Sequence, residues 1–386
     1  MKILHTSDWH LGRVLYSHSL LSEQQHFVED FFLPLVEREK PDLVILAGDI
    51  FDRKIAPVEA IRLFDQFVTY MCADLSIPLA VITGNHDGAD RISIGSRLLA
   101  DRGLYLVSRL EQGLTPFLLK DDYGPIQLWM LPYFDPAMAR DAMNDPSIEG
   151  FGGAYKAVLD DIRQRMDPAA RQILVAHCFV AGSSVSDSES PLYIGGSGEV
   201  DAGLFAGFHY VALGHLHAPQ YPRPFIRYAG SPLKYSFDEE HQRKSVSLVQ
   251  LTDKLSVKDI PVTGVRDVRT VTGTLEELLA QSSGDTHRDD FIYAYLTDEG
   301  PVFEPMARLR EGYPNILGLE SNWLTSSTVN VERRDLRESL RKQGASSDFT
   351  IFSSFLAQVC GTQADAQTEE LFRAIYRETL GEEAGT

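Results

Sequence analysis

The chain has 386 residues, is 44% hydrophobic and carries a formal net charge of −19. That length exceeds one ordinary domain and that apolar fraction is enough for a full core, so two or more folded units are expected. The acidic balance argues against a solitary protein that grips nucleic acid through a broad basic face, and no apolar run is long enough to span a bilayer.

In chain order, five short apolar runs each end on residues with metal-ligand chemistry. Residues 2–4 lead into Ser7-Asp8-Trp9-His10, and residues 43–46 into Gly48-Asp49. Residues 79–82 lead into Gly84-Asn85-His86-Asp87, residues 173–176 into His177, and residues 210–213 into Gly214-His215-Leu216-His217. A short apolar run bounded by turn residues reads as a buried strand. Amphipathic patterns over 24–37 and 57–72 predict the helices that cover those strands. Residues 183–198, rich in Ser and Gly, read as a loop bordering the cleft, and 228–237 as a turn.

From about residue 266 the pattern changes. Residues 268–271 predict a strand, 274–279 a helix capped by Thr274, and 291–296 an alternating strand. Residues 301–310 then predict a helix with Pro301 at its start, and 316–319 an extended segment. A basic segment (Arg333, Arg334, Arg337, Arg341, Lys342) precedes a flexible join at 344–347. Phe349, Phe352, Leu356 and Val359 recur at helical spacing, and a second helix carries Leu371, Phe372 and Ile375 and stops near Gly381. Two short amphipathic helices cannot bury much apolar surface alone, so their faces imply a partner groove.

The five strand ends carry the chemistry. Ligands of open α/β sheets gather beyond the carboxyl ends of the strands. One rim could therefore collect Asp8, His10, Asp49, Asn85, His177, His215 and His217. In Asp-x-His and His-x-His, residues i and i+2 lie on the same side of an extended chain. That donor set exceeds the needs of one ion, so a two-metal site is expected. Carboxylate, amide and imidazole without thiolate suit Mn²⁺, Fe²⁺ or Zn²⁺, with Mg²⁺ less at ease among histidines. Two metals can clamp the attacking and leaving oxygens of an in-line displacement and acidify a water. His5, inside the first strand, reads as a hydrogen-bonded sheet histidine. Arg13, Tyr16 and His18 follow the first motif on a loop near the rim and, as cationic and aromatic groups, are candidates for contact with a nucleic acid. His26, His209, His241 and His287 lack ligand spacing. Cys72, Cys178 and Cys360 are odd in number and widely spaced, as reduced thiols in the cytoplasm would be. Residues 1–4 run straight into a strand without a signal-peptide pattern.

With these motifs the chain resembles the calcineurin-like metallophosphoesterases. Ile3-Leu4-His5-Thr6-Ser7-Asp8-Trp9-His10-Leu11-Gly12, Gly48-Asp49-Ile50-Phe51-Asp52-Arg53, the segment 176–182 and the segment 228–233 resemble more narrowly the SbcD family. That family supplies the nuclease subunits of SbcC–SbcD DNA repair complexes. The resemblance implies an α/β, four-layer metallophosphoesterase sandwich, two central β-sheets flanked by helices, over residues 1–262. It further implies a small α+β capping domain (263–332), a linker (333–347) and a C-terminal helix pair (348–386) binding the SbcC coiled coil.

The resemblance also assigns roles. Asp8, His10 and His217 would hold one metal, Asn85, His177 and His215 the other, and Asp49 would bridge them. His86 would donate a hydrogen bond or proton to the phosphate or leaving oxygen. Asp87 would either orient His86 or cap the helix that follows. Asp52, followed by Arg53, reads as a structural carboxylate paired with that arginine. The implied function is metal-dependent cleavage of DNA, exonuclease on duplex ends and endonuclease on single strands and hairpins, in DNA repair, recombination and replication. The expected cofactors are two divalent ions, Mn²⁺ first and Mg²⁺ second. The expected partners are an SbcC-type ATPase, DNA and a second copy within a heterotetramer, with no membrane. ATP would act through SbcC, because this chain has no Gly-x-x-x-x-Gly-Lys loop. Two alternatives share the motifs: a stand-alone phosphodiesterase on small substrates, and a non-catalytic scaffold.

Overall fold

The computed structural model describes residues 1–189, 198–321, 349, 352–353 and 365–379. The basic segment 333–342, the join 344–347, most of the helix expected over 349–359, its neighbour Cys360, and Gly381 lie outside the described residues. The chain divides into two compact units, Met1–Val268 and Arg269–Thr386.

The first unit is built on two six-stranded sheets. One runs in the order Leu255–Pro261, Ser245–Leu251, Lys2–Thr6, Leu43–Ala47, Leu79–Ile82, Leu104–Val107. Its last four strands are mutually parallel. The other runs Gln220–Arg223, Ile226–Tyr228, Tyr210–Gly214, Arg171–His177, Gly124–Leu131, Phe117–Asp121, with the middle four parallel. Parallel strands covered on both faces carry unbroken apolar runs, which is why Leu43–Ala47 and Arg171–His177 are buried at every position.

Alternation sorts those runs between layers. Ile3, Leu43, Ile45 and Ile82 share a core with Leu128, Ile173, Val175 and Ala212 of the other sheet, so the sheets pack face to face. Leu4, Val44, Leu46 and Val81 point the opposite way, onto a helical layer containing Phe27, Phe32, Phe64 and Phe67. Leu174, Val211 and Leu213 do the same on the far side, against Tyr155, Val158, Leu159 and Ile162. This is the four-layer sandwich expected.

The helix expected over 24–37 extends from Leu21 to Glu39, with a π-helical stretch at Phe27–Phe32. Pro34 follows directly, and a wider turn accommodates a residue that has no N–H and crowds the turn before it. Helix Val58–Thr69 likewise continues as a π turn, Tyr70–Asp74. His5 is buried with Nδ1 2.8 Å from the Tyr210 hydroxyl, as a sheet histidine should be. Cys72 and Cys178 are free thiols. No helix among the described residues is long and apolar enough to cross a membrane.

In the second unit, strands Val268–Gly273, Phe291–Leu296 and Ile316–Ser321 form a sheet with Phe291–Leu296 in the centre. Helix Leu275–Ser282 opens on a capping box, the Thr274 side chain accepting from Glu277 N and the Glu277 carboxylate from Thr274 N. The next helix is Pro305–Gly312 and corrects the expected start: Pro305 rather than Pro301 opens it. Either proline suits a first turn, and the sequence does not decide between them. Helix Ala366–Thr379 exposes Leu371 and Ile375, while Phe372 stacks on Phe352 with ring centres 4.5 Å apart.

Candidate metal centre

The carboxyl ends of Lys2–Thr6, Leu43–Ala47 and Leu79–Ile82 meet those of Arg171–His177 and Tyr210–Gly214 across the sandwich. Main-chain bonds lock the two leading loops, Asp8 N donating to Gly48 O at 3.0 Å and His10 N to Asp49 O at 2.9 Å. The approach is too close for a Cβ at two glycines. One at Gly214 would lie 1.9 Å from Ala47 O, and one at Gly48 would lie 2.3 Å from His177 Nδ1. Gly48 also takes φ +91°, the left-handed region that glycine enters at little cost.

All seven expected donors converge. Asp49 is the hub: its Oδ2 lies 3.4 Å from His177 Nε2 and 3.6 Å from His10 Nε2, and its Oδ1 accepts from His86 N at 2.9 Å. On one side His10 Nε2 and His217 Nε2 approach to 3.2 Å, with Asp8 completing a trio of ligand atoms within 4.8 Å. On the other, Asn85 Oδ1 sits 3.0 Å from His177 Nε2 and 3.3 Å from His215 Nδ1. His177 Nδ1–H donates to Ala47 O at 2.9 Å, which directs Nε2 into the cluster. Asp8, His10, Asp49 and His215 all have positive φ, a cost of roughly 1–3 kcal/mol each that the surrounding structure holds in place.

The electrostatics call for cations. Asp8 and Asp49 are both buried and repel each other. Burial, then the charge of Asp49, pushes the Asp8 carboxyl up. Burial opposes ionisation of Asp49 too, but the imidazoles of His177 and His10 hold it well below the usual carboxylate range. Burial would discharge His177, yet Asp49 and Asp8 outweigh it and lift the ring to about 9. Buried carboxylates and imidazole nitrogens aimed at one point fit divalent metal ions. If His177 is a ligand it must give up its proton to bind, and divalent-metal affinity is then expected to rise with pH between 6.5 and about 9, as at any pH below the latter, and to level off above. Calorimetry across that range checks this, and a flat affinity would contradict it.

Asp87 takes neither expected role. Its carboxylate accepts from the backbone N–H of Gly84 (2.9 Å), Phe51 (3.0 Å) and Ile50 (3.1 Å), tying the loops that carry Asp49 and Asn85 together. The His86 ring instead donates from Nδ1 to the Asp52 carbonyl at 2.9 Å, and the helix that follows is capped at Gly88 without a side-chain bond. Asp52 is also differently engaged: Oδ1 meets Arg13 Nη1 at 2.8 Å, against 3.4 Å from Oδ2 to Arg53 Nε. Arg13, a DNA-contact candidate, thus turns its guanidinium inward, to Asp52 and the Ser188 carbonyl. Tyr16 is exposed and meets Phe237 with ring centres 5.4 Å apart.

Comparison with known proteins decides the family. The calcineurin-like phosphoesterase model matches residues 1–219, and a model described as type 5 capsule protein repressor C-terminal domain matches 265–359. A Staphylococcus epidermidis protein, named as the SbcD component of nuclease SbcCD, is 32% identical over 341 residues, 88% of this chain and 90% of that protein. A protein of the same name from Staphylococcus saprophyticus is 32% identical over 384 residues, 98% of this chain and 99% of its own length. The chain belongs to the SbcD family of calcineurin-like phosphoesterases. Among solved structures, a dimetal phosphatase from Danio rerio is similar at 14% identity and a TM-score of 0.42, over 68% of this chain and 98% of that one.

In this SbcD-family chain, several residues around His217 escape a reading of the sequence alone. Glu239, Lys244, Ser188 and Glu189 bond to it directly, and the Tyr235 ring stands 5.4 Å from those of both His10 and His217. None of them falls in a spaced motif, so the sequence carries no signal for them.

Proposed function

We propose that this SbcD-family enzyme hydrolyses DNA phosphodiester bonds with two divalent ions, Mn²⁺ first and Mg²⁺ second, as the nuclease subunit partnered by an SbcC-type ATPase. The observation that carries the reading is the convergence of nitrogen and oxygen donors on buried Asp49, with no thiolate among them. Asp8, His10 and His217 would hold one ion, Asn85, His177 and His215 the other, and Asp49 would span both. When bound, such ions supply Lewis-acid stabilisation of a phosphoryl group and acidify a water.

His86 is the group of this chain proposed to act on the reacting atoms. One of its ring nitrogens lies within 4.8 Å of ligand atoms of His10 and Asp49. With Nδ1–H held by the Asp52 carbonyl, His86 would act in its imidazolium form, giving the second proton, carried on Nε2, to the leaving sugar oxygen. Asp87 supports that chemistry only by holding the loops on which His86 and Asp49 stand. His86→Gln is expected to lower DNA cleavage by roughly 10²–10⁴-fold while Mn²⁺ binding persists. Loss of Mn²⁺ together with turnover would make His86 a ligand instead, and undiminished cleavage would remove it from the reaction.

The remaining domain roles belong to the same reading. Residues 1–262 form the nuclease domain, 263–332 a cap, 333–347 a linker and 348–386 the helices for an SbcC coiled coil. Exposed Leu371 and Ile375 on helix Ala366–Thr379 support the last of these. Homodimerisation is supported by an apolar groove lined by Phe51, Ile55, Ile61, Phe64, Ile92 and Leu99. Ile94, also in its lining, and Leu98 are each 80% exposed. Sedimentation of Leu98→Glu as a monomer, against a wild-type dimer, would bear this out, and unchanged sedimentation would move the interface elsewhere.

A further inference from the structure

The main-chain N–H, the carbonyl and the ring Nδ1 of His217 are all held. Its main-chain N–H donates to Glu189 Oε1 at 2.5 Å, and its carbonyl accepts from Lys244 Nζ at 2.9 Å and Ser231 N at 3.1 Å. Its ring Nδ1 faces Ser188 Oγ at 2.6 Å and Glu239 Oε1 at 3.3 Å. Ser188 Oγ also contacts Glu239 Oε1, so the serine bridges imidazole and carboxylate. Glu239 and Lys244 are both buried, paired at 2.5 Å through Oε2 and Nζ. Lys244 is further satisfied by Ser231 Oγ at 2.9 Å and Gln242 Oε1 at 2.7 Å. Arg13 holds the Ser188 carbonyl at 3.2 Å.

Donor and acceptor bookkeeping gives this network one direction. A carboxylate paired with an ammonium group only accepts. The single hydroxyl proton of Ser188 therefore goes to Glu239, and Ser188 Oγ is left to accept. His217 Nδ1 must then carry the ring proton and donate it to Ser188. That leaves Nε2 bare, on the side where His10 Nε2 stands 3.2 Å away and Asp8 completes the trio. The tautomer required of a metal ligand is thus imposed from behind the ring.

We propose that Ser188, Glu239 and Lys244 are positioning residues for the metal centre, a relay that fixes the tautomer and orientation of His217. The proposal rests on the two-metal reading above. Lys244 neutralises a carboxylate that would otherwise be a buried unpaired charge. Glu239 sets the proton direction, and Ser188 closes the gap between a carboxylate and a ring nitrogen that stand 3.3 Å apart. The relay acts on the ion held by His217, and no member of it contacts the Asn85–His177–His215 side.

Mn²⁺ titration calorimetry of the full chain, with thermal melts alongside, tests this. Ser188→Ala keeps the Glu239–Lys244 pair, and it is expected to weaken one of two Mn²⁺ binding steps about tenfold and leave the other unchanged. Ser188→Thr restores the hydroxyl and should restore the affinity. Glu239→Gln should weaken the same step by roughly 10–100-fold. Two wild-type binding steps in a stably folded Ser188→Ala protein would overturn the proposal. So would equal weakening of both steps with a lowered Tm, which marks a purely structural role. A wild-type chain that takes up no Mn²⁺ would overturn the two-metal reading, and the relay with it.

Discussion

Asp49→Ala is expected to lower DNA hydrolysis by at least about 10³-fold, equivalent to roughly 4 kcal/mol of lost transition-state stabilisation. Asp49 stands between the two halves of the cluster, its Oδ2 3.4 Å from His177 Nε2 and 3.6 Å from His10 Nε2. No neighbour can replace it, because Asp8 is committed to the His215 N–H at 2.9 Å and Asp87 to three backbone N–H groups. Removing it also frees the His86 main chain from its 2.9 Å bond to Oδ1. The assay compares labelled hairpins and duplex ends with a small chromogenic phosphodiester in Mn²⁺, with and without an SbcC-type partner and ATP. Hydrolysis of the small ester but of no DNA under any condition would favour the stand-alone phosphodiesterase. Cleavage that survives Asp49→Ala would place the chemistry elsewhere.

The largest stability effect is expected at Trp9, which stands between the candidate ligands Asp8 and His10. Its side chain points opposite to theirs, into an aromatic cluster with ring centres 5.5 Å from Phe27, 5.5 Å from Phe32 and 4.8 Å from Phe67. The indole N–H donates to Thr6 Oγ1 at 2.9 Å. Its carbonyl accepts from the Tyr235 hydroxyl at 2.5 Å and Gln24 Nε2 at 3.0 Å, so the ligand loop is fastened from both sides. Trp9→Ala leaves a large cavity and an orphaned Thr6 hydroxyl partner, costing about 3–5 kcal/mol. The loop carries two left-handed residues that the surrounding packing and hydrogen bonds hold in place, so Mn²⁺ binding should weaken as well. Denaturant unfolding and Mn²⁺ titration check the two effects. A variant within about 1 kcal/mol of wild type would show that the cavity collapses without cost.

The sandwich and its donors were legible because both rest on local chemistry. Apolar runs such as Leu43–Ala47 announce buried parallel strands, and ligand residue types at their ends announce a rim. The Thr274 cap was readable for the same reason, and the structure adds Glu277 as the reciprocal half of a capping box. The start at Pro305 rather than Pro301, the π turns and the reach of helix Leu21–Glu39 were not, since they follow from packing around a proline or an aromatic cluster.

By itself, the sequence determined which atoms could hold metal and which strands would carry them, because side-chain period and residue type are properties of neighbours in the chain. The tertiary structure decided what holds those atoms still. Asp87 reaches back 36 residues to Phe51, Ser188 spans 29 to His217, and Lys244 lies 27 beyond it. Bonds across such separations leave no period to read. The left-handed backbone at Asp8, His10, Asp49 and His215 is likewise imposed from outside each loop, since none of those residues prefers it. Chemistry is local, whereas the geometry that aims it is set by contacts that exist only once the two sheets have packed.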